Sequence, residues 1–114
     1  MEAAEKPLIL DHLSALADAT RCRLLLVLGR HELTVSELCQ VLQLPQSTVS
    51  RHLKVLADGG WVVSRADGPS RHYRMTPGLD TTACELWGLV RSEVRQAAIG
   101  EEDAERAKIG RAHV

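Results

Sequence analysis

Hydrogen-bonding and cationic side chains concentrated between residues 46 and 54 are of the types that contact nucleic acid. They are Gln46, Ser47, Thr48, Ser50, Arg51, His52 and Lys54. In a DNA groove glutamine can pair with adenine and arginine with guanine, and the hydroxyls can reach phosphates or bases. His52 and Lys54 are expected nearer the DNA backbone. Val49, Leu53 and Leu56 recur among them at helical spacing. We therefore predict an amphipathic helix over about residues 46 to 58. Taken alone, its polar face also fits ordinary solvation.

A second basic group, Arg71, His72 and Arg74, follows the turn sequence Asp67-Gly68-Pro69-Ser70. Two strands, at 61 to 66 and 71 to 76, are predicted on either side of that turn. A two-stranded ribbon can insert an arginine into a narrow minor groove, and Arg71 is the residue we expect there. The alternative is a basic edge strand that resists aggregation.

The remaining elements position these two groups. Short helices are predicted at 8 to 17 and at 19 to about 30, the second capped by Asp18. Thr34 and Glu37 form a capping-box pattern before an apolar stripe that ends at Leu42, and Pro45 suits the start of the next helix. A longer helix is predicted at 81 to 98. Two helices joined by a tight turn and followed by a hairpin predict a winged helix-turn-helix.

The predicted fold class is thus mainly α with a β-hairpin wing, in the order α1-α2-α3-α4-β1-β2-α5. Residues 1–98 are assigned to one DNA-binding and dimerisation domain, and residues 99–114 to a charged helical tail or linker with little to bury. The whole chain of 114 residues has a net charge of −1. Between residues 46 and 74, however, five basic residues face two acidic ones, which gives a basic segment.

Composition argues against several other classes of protein. The chain has no membrane-length apolar run and no signal peptide pattern, and its three cysteines show no CxxC spacing, which favours a cytoplasmic protein. We find no catalytic constellation, no glycine-rich cofactor loop and no metal-ligand spacing, so neither an enzyme nor a cofactor is expected. His12, His31 and His113 are interpreted as surface residues.

Two stretches carry a resemblance to a known family. DATRCRLLLVL and ELCQVLQLPQSTVSRHLKVLADGGWVVSRADGPSRHYRM resemble the ArsR/SmtB family of bacterial repressors, over about residues 8 to 97. STVSRHLKVL and the G-x-x-RHYR wing are the specific parts. The resemblance implies a homodimer, joined through the first helix and the helix at 81 to 98, that binds double-stranded operator DNA until a small effector releases it. The expected interface residues are Leu13, Leu86, Trp87, Val90 and Val94.

The effector does not follow from the resemblance. Many relatives bind metalloids through C-V-C where this chain has Thr34, Val35 and Ser36. Other relatives bind zinc through histidines on the last dimer helix, and residues 81 to 98 contain none. Cys22, Cys39 and Cys84 remain as candidates for a thiol-reactive effector, as a three-thiolate site or a redox pair. Each also fits a small buried hydrophobic residue.

Two further alternatives remain open. Some proteins of this family carry a methyltransferase domain after the dimer helix, and the tail at 101 to 114 looks similar to the start of that connection. The chain could also be a winged-helix module that binds protein instead of DNA. The polar face at 46 to 54 favours DNA, because a protein-binding module would show apolar residues there.

Overall fold

The structure is a computed structural model that describes residues 8–97 and 101–112, with side chains up to residue 108. The predicted boundary at 98 and 99, and His113, lie outside the described residues. In chain order the elements are α1 (Leu8–Leu16), α2 (Ala19–Leu28), β1 (Leu33–Thr34), α3 (Val35–Leu42), α4 (Gln46–Asp58), β2 (Val62–Asp67), β3 (Ser70–Met75), α5 (Thr81–Gln96) and α6 (Glu101–Ala112). The mainly helical fold with a hairpin wing confirms the predicted class, with β1 and α6 as additions. Among these residues, no helix is both long and apolar enough to cross a bilayer.

Three helices begin at side chains that accept a backbone hydrogen bond. Asp18 accepts from the amide of Arg21 at 3.0 Å, and Asp80 accepts from the amide of Ala83 at 2.8 Å. At α3 the hydroxyl of Thr34 accepts from the Glu37 amide at 3.2 Å, and the Glu37 carboxylate accepts from the Thr34 amide at 2.8 Å. The predicted capping box is therefore confirmed, and it fixes where the helix-turn-helix begins.

The turn between α3 and α4 depends on one left-handed residue. Gln43 has φ 58° and ψ 48°, and its amide donates to the carbonyl of Cys39. This conformation ends α3 at once, and Pro45, with φ −64°, leads directly into α4. The two helices are thus held at the short separation that a helix-turn-helix requires.

The wing belongs to a three-stranded antiparallel sheet in the order β1-β3-β2. Asp67 pairs with Ser70, so the hairpin loop is the two residues Gly68 and Pro69, and Gly68 adopts φ +62°. Each predicted strand is displaced by one residue, to 62–67 and 70–75. β1 was not predicted. It joins the base of the wing to the start of α3 through the pairs Leu33–Tyr73 and Thr34–His72.

The core is aliphatic and centres on α2. Its fully buried side chains include Leu24, Leu25, Leu38, Leu42, Val49, Leu53, Leu56 and Trp61. The interpretation of His12 as a surface residue is wrong. Its ring is buried edge-on against Trp61, with centroids 5.1 Å apart, and its Nε2 lies 3.6 Å from Asp80 Oδ2 beside the start of α5.

Helix α6 packs against α2 and α3 and buries a charged group, which we call the Asp103 network. Asp103, only 2% exposed, accepts hydrogen bonds from Arg23 Nε at 2.8 Å, Arg23 Nη2 at 3.0 Å and Arg106 Nη2 at 2.9 Å. The two guanidiniums also donate to the carbonyls of Leu42 and Val41 at the end of α3. The hydrogen bond to Asp103 raises the pKa of Arg23. This packing was not predicted, because residues 99–114 were expected to form a charged tail or linker with little to bury.

Candidate nucleic-acid interface

The outward face of α4 carries most of the predicted DNA-contacting residues. Gln46, Ser47, Arg51 and Lys54 are exposed, and Thr48 and Ser50 are half-buried. The opposite face buries Val49, Leu53 and Leu56, which anchors the helix to the core. Lys54 Nζ lies 3.2 Å from the Asp58 carboxylate, but both side chains are largely exposed and this pair is weak. The helix therefore presents hydrogen-bonding groups and two cations, Arg51 and Lys54, along one side.

His52 does not belong to that exposed face, and its predicted contact with DNA is corrected. Its side chain is 7% exposed, because it follows Val49 by three residues and so shares the buried side of α4. Its Nδ1 lies 3.2 Å from Arg21 Nη1 and 3.9 Å from an Asp18 oxygen. Burial lowers the pKa of His52, with Arg51 and Arg21 acting in the same direction against Asp18.

Arg21 joins the three segments that meet at His52. Its Nε donates to the carbonyl of Ala15 at 2.7 Å and its Nη2 to that of Ser14 at 3.1 Å. One guanidinium therefore satisfies the end of α1 while it also reaches α4. The position of α4 is fixed by this polar contact in addition to its apolar face.

The cations of the wing differ in whether they pair with a carboxylate. Arg65 donates to both oxygens of Glu32, at 3.0 and 2.9 Å, and this bond, together with the nearby positive charges, lowers the pKa of Glu32. Arg74 lies 4.0 Å from the same carboxylate, and His72 lies 3.3 Å from Asp67. Arg71 is exposed and donates to the Ser64 hydroxyl at 3.0 Å. Within the described part of the chain, Arg71 is thus the cation of the hairpin that has no carboxylate partner.

The three cysteines occupy different environments. Cys22 is buried, donates to the carbonyl of Leu16 at 3.2 Å, and has a pKa raised by burial and by Asp18. Cys39 is half-buried against the core, whereas Cys84 is exposed in the first turn of α5. Over residues 8–97 and 101–108, the structure shows no group of three or more histidine, cysteine or carboxylate side chains that could hold a metal. Among the described residues, the three cysteines therefore do not form a three-thiolate site within one protomer.

Large apolar side chains are exposed on both α1 and α5. Leu13 is 46% exposed and Leu89 is 70% exposed, and Leu8, Ile9 and Leu10 are similar to Leu13. The other predicted interface residues are less accessible: Leu86, Val90 and Val94 are half-buried, and Trp87 is 6% exposed in the core. Leu89 was not predicted as an interface residue, although it follows Leu86 by three residues and so lies on a similar side of α5.

Comparisons with known proteins agree with this geometry. A family model described as MarR family matches residues 17–71. The arsenical resistance operon repressor of Escherichia coli K12 is 38% identical over 72 residues, which cover 62% of each chain. The arsenic resistance transcriptional regulator ArsR1 of Pseudomonas putida is 43% identical over 63 residues, 54% of this chain and 49% of that protein. The chain thus spans about half to three fifths of the length of these curated relatives.

A solved structure covers more of the chain. The crystal structure of the transcriptional regulator HlyU from Vibrio vulnificus is 32% identical and superposes with a TM-score of 0.61. The match covers 73% of this chain and 83% of that one. The likeness therefore extends over more than four fifths of the other molecule.

Proposed function

Because this chain belongs to the ArsR/SmtB family of winged helix-turn-helix transcriptional regulators, we propose that it is a repressor. It binds double-stranded operator DNA as a homodimer and leaves that DNA when a small effector binds. The observation that carries this proposal is the exposed polar face of α4, with Arg71 on the neighbouring wing unpaired by any described carboxylate.

Each polar residue of α4 has a role in this proposal. Gln46 and Arg51 are exposed on the outward face, where their forked groups reach base edges in a major groove. Ser47, Thr48, Ser50 and Lys54 contact phosphates and set the register of the helix. On the wing, Arg71 enters the adjacent minor groove, and His72 and Arg74 contribute positive potential nearby. His52 has no direct contact and acts only by holding α4.

The exposed leucines support assembly into a dimer. A small domain does not leave Leu89 and the leucines of α1 in water without a partner surface. A two-fold axis through this face places α1 and α5 of one protomer against those of the other. The two α4 helices then stand about 34 Å apart, which matches successive major grooves. The protein-interaction alternative is less favoured, because the exposed side of α4 is polar apart from Val55 and Ala57.

For the effector, the sequence and the thiol environments favour a soft, thiol-seeking species. The two curated relatives described above are named for arsenic resistance. Cys84 is the exposed thiol and lies on α5, which also carries the proposed dimer surface. A bond formed at Cys84 displaces α5, and it therefore changes the orientation of the two α4 helices relative to each other. A regulator of this kind works where chromosomal DNA lies, so we place the protein in the cytoplasm.

The test begins with selection of operator sequences from a random pool of duplexes by the full chain. Fluorescence anisotropy on the selected duplex then compares the wild type with Arg51→Ala. Loss of a bidentate contact to guanine should weaken binding by about 1–3 kcal/mol. Lys108→Ala is the matched control, because it removes an exposed charge from α6 and should leave the affinity unchanged.

Two results would contradict the proposal. Failure of the pool to enrich any sequence sinks the role as a sequence-specific regulator. An Arg51→Ala variant that binds the selected duplex like the wild type removes Arg51 from base recognition.

A further inference from the structure

A concave surface lies between α2, the end of β3 and α5, and none of the residues assigned to DNA lines it. It encloses about 440 Å³ and is bounded by α2, β3 and α5. The half-buried side chains of Leu26, Met75 and Leu79, with the edge of Trp87, form its apolar floor, and Leu25 lies beneath them without exposed surface. A neighbouring cavity of about 340 Å³ between α2 and α6 shares Leu26, Arg30 and Arg95 with it. The first volume lies within the range of small-molecule sites, which are mostly apolar with a few polar groups.

The polar groups of this cavity are all cations. Arg30, Arg91 and Arg95, all exposed at its edge, line it, and among the described residues no acidic side chain does. Arg91 and Arg95 follow Trp87 at intervals of four residues, so they share its side of α5. In the part of the chain that the structure describes, none of the three arginines forms an ion pair, unlike Arg23, Arg65 and Arg106. The neighbouring cavity, which shares Arg30 and Arg95, differs in that Glu101 lies in its wall.

Three unpaired guanidiniums over an apolar floor select a particular chemistry. A guanidinium presents a planar fork that matches a carboxylate, and it is weakly enough hydrated to pair at an apolar surface. An inorganic anion buries no apolar surface against leucine, methionine and tryptophan side chains. A hydrocarbon group does, and its burial is favourable. We propose that this cavity binds a small organic acid, with its carboxylate on Arg30, Arg91 and Arg95 and its apolar body against Trp87.

The position of the cavity connects such a ligand to α5. Trp87, Arg91 and Arg95 face the cavity, whereas Leu89 on the same helix belongs to the proposed dimer surface. An acid bound against Trp87, Arg91 and Arg95 therefore shifts α5, and with it Leu89 at the proposed dimer surface. This regulatory consequence rests on the proposed function, but the binding site itself does not. None of the three cysteines lines the cavity, so the site is independent of a thiol-seeking effector.

Binding can be located through the tryptophans, since the chain has two. The full chain, labelled with ¹⁵N and without DNA, is titrated with octanoate and with 4-phenylbutyrate while the two indole N–H signals are followed. The Trp87 signal should move saturably, and the signal of Trp61, which does not line the cavity, should stay. Octanamide, which has the same apolar body without the charge, should move neither signal, and inorganic phosphate should bind more weakly than the acids.

Two variants test the arginines. Arg91→Gln and Arg95→Gln should each weaken octanoate binding about tenfold, the effect of one charge-assisted hydrogen bond. Lys108→Gln removes an equal charge outside the cavity and should have no effect. The proposal is overturned if octanamide binds as tightly as octanoate, if Lys108→Gln weakens binding equally, or if Trp87 does not respond by ~10 mM acid. Because DNA is absent, these outcomes stay separate from any failure of operator binding; adding operator DNA afterwards tests the regulatory consequence alone.

Discussion

Replacing Asp103 by asparagine should detach α6 while the rest of the protein stays folded. The change keeps the size of the side chain but removes the charge that three guanidinium hydrogen bonds meet. Little else holds α6 in place. Ala107 is the one apolar side chain of α6 that is buried among those described, and a twelve-residue helix is marginal by itself in water.

The size of the effect follows from how each partner is exposed. Removal of one member of a fully buried ion pair costs about 3–5 kcal/mol. Asp103 is that buried member, but the side chains of Arg23 and Arg106 retain 22% and 33% exposure and can be rehydrated. We therefore expect a loss below that range, about 2 kcal/mol, which shifts the docking equilibrium of α6 roughly thirtyfold.

Amide hydrogen exchange, read with urea denaturation, measures this loss. In Asp103→Asn the amides of α6 should exchange nearly as fast as in an unfolded chain, whereas those of α2 and α4 stay protected. Glu105→Gln is the matched control on the same helix. Its partner Lys108 lies 3.6 Å away and both side chains are about 70% exposed, so its loss should cost under about 0.5 kcal/mol. Equal protection of α6 in the wild type and Asp103→Asn refutes the reasoning.

The remaining predictions concern assembly, pH and the thiol route. Leu89→Glu should give a monomer in sedimentation equilibrium at micromolar concentration without loss of helix, since Leu89 is 70% exposed; a persistent dimer excludes this surface. Because the pKa of His52 is lowered, its contribution to stability is complete above about pH 6.5 and is lost as pH falls through the lower folded value. Urea denaturation should show this decline, and His52→Gln should flatten it; an unchanged slope rules out His52 as the group responsible. Zinc should not release the wild type from DNA, whereas arsenite should, and Cys84→Ser should abolish that response; normal release by arsenite in that variant makes the thiol structural.

Sequence reasoning succeeded where the cause of the structure is local. The capping box at Thr34 and the helix at 46 to 58 match the structure, because caps and apolar spacing act within one or two turns. The hairpin was displaced by only one residue, since Gly68 and its neighbours determine the turn. The exposure of the α4 polar face agrees with the predicted helix orientation, while the DNA contacts themselves remain predictions.

It failed where a side chain depends on a distant partner. The Asp103 network joins residues eighty positions apart, and nothing near Asp103 in the sequence marks Arg23 as its partner. The bond from Arg65 to Glu32 spans thirty-three positions and removes from the wing a cation that composition had counted as available. His52 was assigned to the DNA-contacting face because of its residue type, although it follows Val49 by three residues and so shares the buried side of α4. β1, with two residues, is too short to show a period of two.

Thr34 has two structural roles at once, and this restricts how a protein of this design can adapt to a new operator. It is the last residue of β1, paired with His72 of the wing, and its side chain also caps α3. No residue lies between the end of β1 and the start of α3 to absorb a rotation. We therefore expect the wing and the helix-turn-helix to change orientation together. A change that tilts the wing towards a wider minor groove also tilts α3, and with it the reading helix, so the two groove contacts have to evolve together.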